Sequence, residues 1–385
     1  MGFSDPLPAG LIVATPNGLS GSCGGGTITA NAGSSNISLS SAALAAAAGC
    51  SFTVNVTGTV AGIQNNTTSV VTSTQGGNGP PASDSITVVL PPVISKAFAA
   101  PTLLVGSSTA LSFTITNPNP TVTLTAVGFT DTLPSGLVVA TPNGLAGSCG
   151  GGTITAVSGS KSISLSGAVL GDSASCTFAV NVTGTTAGKQ VNTTGAVTSL
   201  EGATGNQASA TITVLAPALI DYFSNANTAG APDGTVRITN PGTAGGNLCA
   251  DIFVFDANEE LSECCSCTIT PDGLLTLSVD TDLTDNALTG NVLTTGVITI
   301  IPVATIGGLC PLPTVMTPEP AVDAWATHIQ VGESGFVVTE RASQTTAVSA
   351  EDLSALESLC TAIKRVGSGH GVCANSAALA AICNN

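Results

Sequence analysis

The feature that most constrains this chain is a long internal repeat, because residues 2–30 recur as residues 128–156. Twenty-four of the 29 positions are identical, and four of the five differences exchange small or similarly shaped residues. The register shift of 126 residues holds well beyond this window. A period of this length predicts a repeated domain rather than a short motif inside one domain.

Each copy of the repeat has the pattern of short antiparallel strands. Residues 109–117 and 121–129 alternate apolar and polar side chains with a period of two, and Pro-containing turns separate them. About seven to nine such strands, with a turn every eight to twelve residues or so, predict a sandwich of immunoglobulin type. We therefore predict an all-β chain of tandem immunoglobulin-like antiparallel β-sandwiches, with one C-terminal α-helix on the last domain.

The repeat also divides the chain into domains. Three are predicted: an incomplete immunoglobulin-like repeat that lacks its first strands at residues 1–92, a complete repeat at residues 93–216, and a diverged, disulfide-rich β-sandwich at residues 217–385. In the last of these, Ser349 is expected to cap a helix over about residues 350–366. An apolar stripe on this helix should dock on the sandwich; it consists of Leu353, Leu356, Cys360 and Ile363.

Three motifs of the complete repeat resemble a known family. They are Ile94-Ser95-Lys96-Ala97-Phe98, residues 111–119 and residues 129–137. Their pattern is similar to the bacterial "conserved repeat" surface domain, the domain-of-unknown-function-eleven type and its relatives. The resemblance covers residues 93–216 and the later part of the unit in residues 1–92. It implies immunoglobulin-like modules strung in arrays on secreted and cell-surface proteins, without catalytic activity.

Twelve cysteines at ordered spacings predict disulfides, which imply an oxidising, extracytoplasmic setting. Cys23 and Cys50 are 27 residues apart, as are Cys149 and Cys176, so one disulfide is expected in each repeat. In the last domain the β part and the tail both hold an odd number of cysteines. If all pair within the domain, at least one bond must join the two parts. These cysteines are Cys249, Cys264, Cys265, Cys267, Cys310, Cys360, Cys373 and Cys383.

Other candidate sites give weaker signals, and no enzyme, metal or cofactor is predicted. The cysteine cluster at residues 264–267 lacks the paired CxxC hooks or nearby His of a zinc site, so disulfides are favoured. Residues 280–285 lack the Gly and distal Glu of an EF-hand loop, which favours a solvated acidic turn over a calcium site. The chain has two histidines and no G-x-S-x-G, H-E-x-x-H or P-loop motif. Trp325 is interpreted as core, on the opposite face of its strand from His328.

A covalent crosslink is a further hypothesis for the complete repeat. A first-strand lysine could bond a last-strand asparagine with help from a buried acid, and Lys96, Asp131 and Asn206 have suitable places for it. In the first repeat, Pro80 occupies the position of Asn206 and the lysine strand is absent. The alternative is an exposed lysine and an exposed asparagine.

The charge distribution limits the classes of partner. Of the net charge of −16, residues 1–216 carry −2 and residues 217–385 carry −14. With only seven basic residues, the chain lacks an electrostatic footprint for nucleic acid or anionic lipid. The nearly neutral repeats are expected to favour self-association. The longest apolar run, residues 292–309, contains Pro302 and has the texture of a strand, so no membrane span is predicted.

The first repeat lacks counterparts of residues 94–127, which are its first two strands and most of the third. Three explanations are open. The sequence begins inside a longer protein, another subunit supplies the strands as in donor-strand complementation, or the half folds alone into a smaller sheet. The leading hypothesis is an extracellular or cell-surface structural protein of bacteria. It would be a subunit of a filament or similar homopolymer, with its contact at the open sheet edge of residues 2–90. The alternative is an adhesin or stalk whose acidic C-terminal domain binds a ligand.

Overall fold

The computed structural model describes residues 1–243, 245–284, 292–310, 313–320, 322–366 and 383–384. In these residues nearly all regular structure is β-strand, the sheets are mainly antiparallel, and the one long helix lies near the C-terminal end. The predicted fold class is therefore confirmed: the chain consists of tandem immunoglobulin-like β-sandwiches with a C-terminal helix. Cys373, Asp285 of the predicted acidic turn and the second histidine, His370, lie outside the described residues.

The second repeat is a complete sandwich. Its strands are β12 Val93–Phe98, β13 Thr102–Leu104, β14 Ser108–Thr116, β15 Leu124–Thr132, β16 Leu137–Val139, β17 Ala146–Ser148, β18 Thr153–Ala156, β19 Ser162–Leu170, β20 Ser175–Gly184, β21 Gly188–Thr193, β22 Thr198–Ser199, β23 Ala203–Thr204 and β24 Ser209–Ser224. One sheet has the order β12-β14-β20-β16 and the facing sheet has the order β18-β19-β15-β22-β23, while β24 lies between β13 and β21.

Alternation of side chains along these strands builds one apolar core between the sheets. Phe113 and Phe178 enter it from the first sheet, and Phe129 enters from the second. Their ring centroids are 5.2–6.2 Å apart, within the range of favourable aromatic packing. This core contains 25 buried apolar residues.

The first repeat has the same strands from β15 onward in a much smaller core. They are β1 Phe3–Pro6, β2 Leu11–Val13, β3 Ser20–Ser22, β4 Thr27–Thr29, β5 Asn36–Ser40, β6 Ser51–Thr53, β7 Val56–Gly58, β8 Gly62–Thr67, β9 Thr72–Ser73, β10 Gly77–Asn78 and β11 Ser83–Val88. They form small sheets: β1-β5-β4, β2-β7, β3-β6, β8-β11 and β9-β10. Only five and three residues are buried in its two apolar clusters.

The last part of the chain is a second type of sandwich. Its elements are β25 Thr235–Thr239, β26 Leu248–Asp256, β27 Leu261–Ile269, β28 Leu274–Ser278, a π-helical turn Val279–Leu283, β29 Thr295–Ala304, β30 Asp323–Gly332, β31 Gly335–Ala342, β32 Gln344–Val348, α1 Ala350–Val366 and β33 Cys383–Asn384. One sheet has the order β24-β29-β26-β27-β33, with β32 on the other edge of β24, and the facing sheet has the order β28-β25-β30-β31.

Strand β24 is continuous through both sandwiches. Its first half pairs with β13 and β21 of the second repeat, and its second half pairs with β29 and β32 of the last sandwich. The predicted boundary after residue 216 therefore falls inside a strand. A shared strand leaves no flexible linker between these two sandwiches.

Helix α1 closes the last sandwich. The Ser349 hydroxyl accepts a hydrogen bond from the Asp352 backbone N–H at 3.1 Å, which caps the first turn. Leu353 and Cys360 are buried against the sheet, and Cys360 is bonded to Cys264 of β27. No helix among the described residues has the length and apolar character needed to cross a membrane.

Candidate functional site

The first repeat has an open groove at the place where the second repeat has strands. In the second repeat, β14 pairs along β20 and β13 pairs along β24. The counterparts of β20 are β6 and β7, and the counterpart of β24 is β11. Within the described residues these strands pair on one side only, with β3, β2 and β8 respectively. Two strand edges with free backbone groups therefore border the groove.

The floor of the groove is apolar. The groove has a volume of about 630 Å³, and Phe3, Leu11, Leu39 and Phe52 are among its lining residues. Each of these is the same residue type as its buried counterpart 126 positions later. The groove therefore has the side chains of a sandwich core, of which Leu11 and Leu39 are buried whereas Phe3 and Phe52 are only partly covered.

Exposure measured at matched positions shows the difference between the two repeats. Ile86 of β11 is 52% exposed, whereas its counterpart Ile212 is 0% exposed. Val56 of β7 is 39% exposed, whereas its counterpart Val182 is 0% exposed. Because residue types and strand positions are the same, the missing cover causes the difference.

A polar cluster lies inside the second repeat. Lys96 of β12 donates a hydrogen bond from Nζ to Asp131 Oδ1 at 3.0 Å, and Asn192 of β21 donates from Nδ2 to Asp131 Oδ2 at 2.8 Å. The side chains of Lys96 and Asp131 are 0% exposed, and Asn192 is also fully buried. One carboxylate on β15 therefore joins a first-strand lysine to an asparagine of another sheet.

An aromatic side chain lies beside the lysine end of this cluster. Lys96 lies directly across from Phe113 in the β12–β14 register, and its Nζ is 5.8 Å from the Phe113 ring centroid. Burial lowers the pKa of Lys96 below its ordinary value, while the charge and hydrogen bond of Asp131 oppose that shift. The amine is thus more easily deprotonated than a lysine at the surface.

Asn206, the asparagine that the sequence singled out, has a different role in the structure. Its Oδ1 accepts the backbone N–H of Ile94 at 2.8 Å, and its Nδ2 donates to the Ile94 carbonyl at 2.8 Å. These two bonds replace a strand partner for the start of β12. The structure brings Lys96 and Asp131 together, as the hypothesis requires, but it places Asn192 rather than Asn206 at the carboxylate.

Two members of this cluster have counterparts in the first repeat, and both counterparts line the groove. Asn66 donates from Nδ2 to Asp5 Oδ2 at 3.0 Å, and both residues line the groove. They are the counterparts of Asn192 and Asp131. Asp5 Oδ1, which corresponds to the oxygen that Lys96 contacts, is buried and has no hydrogen-bond partner in the described part of the chain. The position of the lysine is open.

Sequence reasoning missed Asn192 and Asn66, although a signal for them was present. Both repeats hold an Asp and an Asn 61 residues apart. The Asn206 position, by contrast, is Pro80 in the first repeat. Asn192, whose counterpart in the first repeat is also an asparagine, was therefore a better candidate than Asn206.

Disulfides join each part of the chain internally. The bonds are Cys23–Cys50, Cys149–Cys176, Cys249–Cys310 and Cys264–Cys360. Cys265 and Cys267 are disulfide-bonded as well. Cys264 and its neighbour Cys265 therefore do not form a zinc site with free thiolates. The Cys383 side chain is outside the described part.

The interpretation of Trp325 as a core residue is wrong. Trp325 is 37% exposed, because its neighbours Ala324 and Ala326 face the core and alternation along β30 turns the indole outward. His328 lies on the opposite face of the strand from Trp325, as predicted, but that face is the buried one, and its Nε2 is 2.5 Å from Asp221 Oδ1. Glu340 pairs with Arg237 instead of joining them.

Asp251 is a second buried acid of the last sandwich. The Ser266 hydroxyl donates to Asp251 Oδ1 at 2.5 Å. Burial is the main reason that the pKa of Asp251 rises to about 8, and the charge of Glu357 adds to the shift. Among the described residues no three His, Cys, Asp or Glu side chains form a group that could hold a metal ion.

Comparison with known proteins gives a family and some distant structural likenesses. The family described as Domain of unknown function (DUF7933) matches residues 1–88 and 92–214, and it is not the conserved-repeat family that the motifs resemble. No curated protein matches the sequence.

Among solved structures, the chain is similar to a variant of BcpA, the major pilin subunit of Bacillus cereus, at 10% identity and a TM-score of 0.35, with 92% of each chain covered. It is also similar to the major pilin SpaD from Corynebacterium diphtheriae at 9% identity and a TM-score of 0.28, covering 75% of this chain and 74% of that one. The collagen adhesin CNA from S. aureus is 10% identical with a TM-score of 0.22, covering 55% and 81% respectively.

Proposed function

The chain belongs to the family described as Domain of unknown function (DUF7933), and we propose that it is a structural subunit of a bacterial surface filament or similar homopolymer. In this proposal a strand of a neighbouring copy enters the groove of the first repeat and completes its sandwich. The protein acts outside the cell and assembles through its β modules.

The groove is the observation that carries the proposal. Its floor has the residues of a finished core, but Ile86 and Val56 remain 52% and 39% exposed. Strand addition satisfies the backbone groups of the two free edges and buries this apolar floor at the same time. Contiguous exposed apolar surface of this kind marks an interaction site.

The second repeat indicates what kind of partner fits. There the same floor is covered by β12, β13 and β14, whose inward side chains include Ile94, Leu111 and Phe113. A partner strand with alternating large apolar side chains would therefore fill the groove of the first repeat. The near-neutral repeats do not repel each other, which favours a second copy of the chain as the partner.

Disulfides support the extracellular location. Each repeat has a Cys pair with a separation of 27 residues, and such bonds persist in oxidising compartments. They stabilise a small open sandwich against unfolding before a partner arrives.

The proposal is tested by placing a charge in the groove. Ile86→Asp should abolish fibres seen by negative-stain electron microscopy and leave a folded monomer in sedimentation velocity, because the carboxylate would be buried on strand addition. The control is Val157→Asp, at a site that is 63% exposed in a turn of the second repeat. It should assemble like the parent chain. Normal assembly of Ile86→Asp, or a parent chain that stays monomeric at high concentration, would contradict the proposal.

An adhesin or stalk is the second candidate function, and one observation favours it. Trp325 and Tyr222 of the acidic last sandwich are 37% and 44% exposed, and exposed aromatic side chains are frequent in binding sites. Replacing Trp325 with Ala would leave self-assembly intact in the filament proposal. In the adhesin alternative the same change would weaken attachment of the protein to its target surface.

A further inference from the structure

The Lys96–Asp131–Asn192 cluster is an energetically costly arrangement for the core of a sandwich. Three different strands bring these side chains to one point in the core of the second repeat, and all three side chains are sealed from solvent. A buried ion pair seldom stabilises a core better than apolar residues of the same volume would. Asn192 Oδ1 is moreover buried without a hydrogen-bond partner in the described part of the chain. The cost of this arrangement suggests a chemical use.

We propose that the structure assigns a covalent modification site here: an amide bond between Lys96 Nζ and Asn192 Cγ, with Asp131 carrying the proton. Asp131 holds both reacting groups by the two oxygens of a single carboxylate, at 3.0 Å and 2.8 Å. The bond would tie β12, the first strand of the repeat, to β21 near its end.

The reaction balances without any other reagent. Lys96 gives one proton to Asp131, and the neutral amine attacks Asn192 Cγ, forming the new C–N bond. The Cγ–Nδ2 bond then breaks, and Nδ2 leaves as ammonia with a second proton from the former ammonium. The remaining proton on Asp131 passes to ammonia, so the products are one amide and one ammonium ion.

The surroundings favour each step. The Phe113 ring 5.8 Å from Nζ and the core around it exclude water, so that hydrolysis does not compete. Burial lowers the pKa of Lys96 and so raises the fraction of neutral amine. Held at one carboxylate, the two reactants have a high effective concentration.

Intact mass of the reduced full chain tests this inference. The expected mass is that of the sequence less one ammonia molecule. After reduction, trypsin should release residues 190–237 attached to a fragment that is uncut after Lys96, because amidation removes the cleavage site. A reduced chain with the full sequence mass would overturn the inference.

Variants identify the partner and the proton carrier. Asn192→Ala and Asp131→Asn should both restore the full mass, whereas Asn206→Ala should keep the ammonia loss because Asn206 contacts only backbone. Loss of the modification in Asn206→Ala together with its retention in Asn192→Ala would overturn the assignment. Circular dichroism of each variant separates a failed reaction from a failed fold, and the mass of the parent chain decides the inference in either case.

Discussion

The internal repeat allows one substitution to be compared in an open and a closed sandwich. Ile86 and Ile212 occupy the same strand position, but the first is 52% exposed and the second 0% exposed. We predict that Ile212→Ala lowers the free energy of unfolding by about 3–4 kcal/mol, as is usual for a fully buried side chain. Ile86→Ala should cost the monomer only about 1 kcal/mol, because half of the side chain is already in water and no closed cavity forms.

In assembly, Ile86→Ala should have the larger effect and Ile212→Ala the smaller one. Strand addition would bury the exposed half of Ile86, worth about 1 kcal/mol, so Ile86→Ala should raise the critical concentration for assembly by about fivefold. Ile212→Ala should leave it nearly unchanged wherever the second repeat stays folded, because its side chain does not face the groove.

Hydrogen exchange followed by mass spectrometry is the suitable assay, since it reports on each repeat separately. Peptides covering β8 and β11 give the opening free energy of the first repeat, and peptides covering β21 and β24 give that of the second. Equal losses in the two monomeric variants would show that the groove is already covered within a single chain. That result would refute the reasoning.

Two further predictions concern stability. Burial raises the pKa of Asp251 to about 8, so the folded state holds a proton that the unfolded chain loses near pH 4. The protonated Asp251 carboxyl therefore favours the folded state fully below about pH 4, and this contribution is lost as the pH rises towards about 8. In the parent chain the free energy of unfolding should therefore fall by an amount on the order of 5 kcal/mol between these pH values. In Asp251→Asn this fall should be absent, as measured by urea unfolding at a series of pH values. An unchanged pH profile would contradict this. Replacing both Cys149 and Cys176 by Ser should cost about 3.5 kcal/mol, from a closed loop of 27 residues in the chain-entropy model, and a thermal melt unchanged by the double substitution would refute it.

The sequence predicted the sandwich architecture because its signals are local. Alternation over residues 109–117 and 121–129 and the turns between them determine strands, and the repeat length determines the module. Helix α1 carried its own start signal in Ser349 and Asp352.

Contacts across the sandwich could not be predicted in the same way. Whether Asn192 or Asn206 lies at Asp131 depends on which strands face each other through the core, and alternation along one strand does not contain that information. The Asp221–His328 contact could not be predicted for the same reason, because it joins residues 107 positions apart. Trp325 was assigned to the core, but the alternation of side chains along β30 turns it outward.

A cryo-electron microscopy reconstruction of the assembled protein tests the central claim most directly. The account predicts density for a β-strand of a neighbouring copy lying between β6–β7 and β11. An ordered assembly in which this groove is empty, or is filled by a segment of the same molecule, would contradict it.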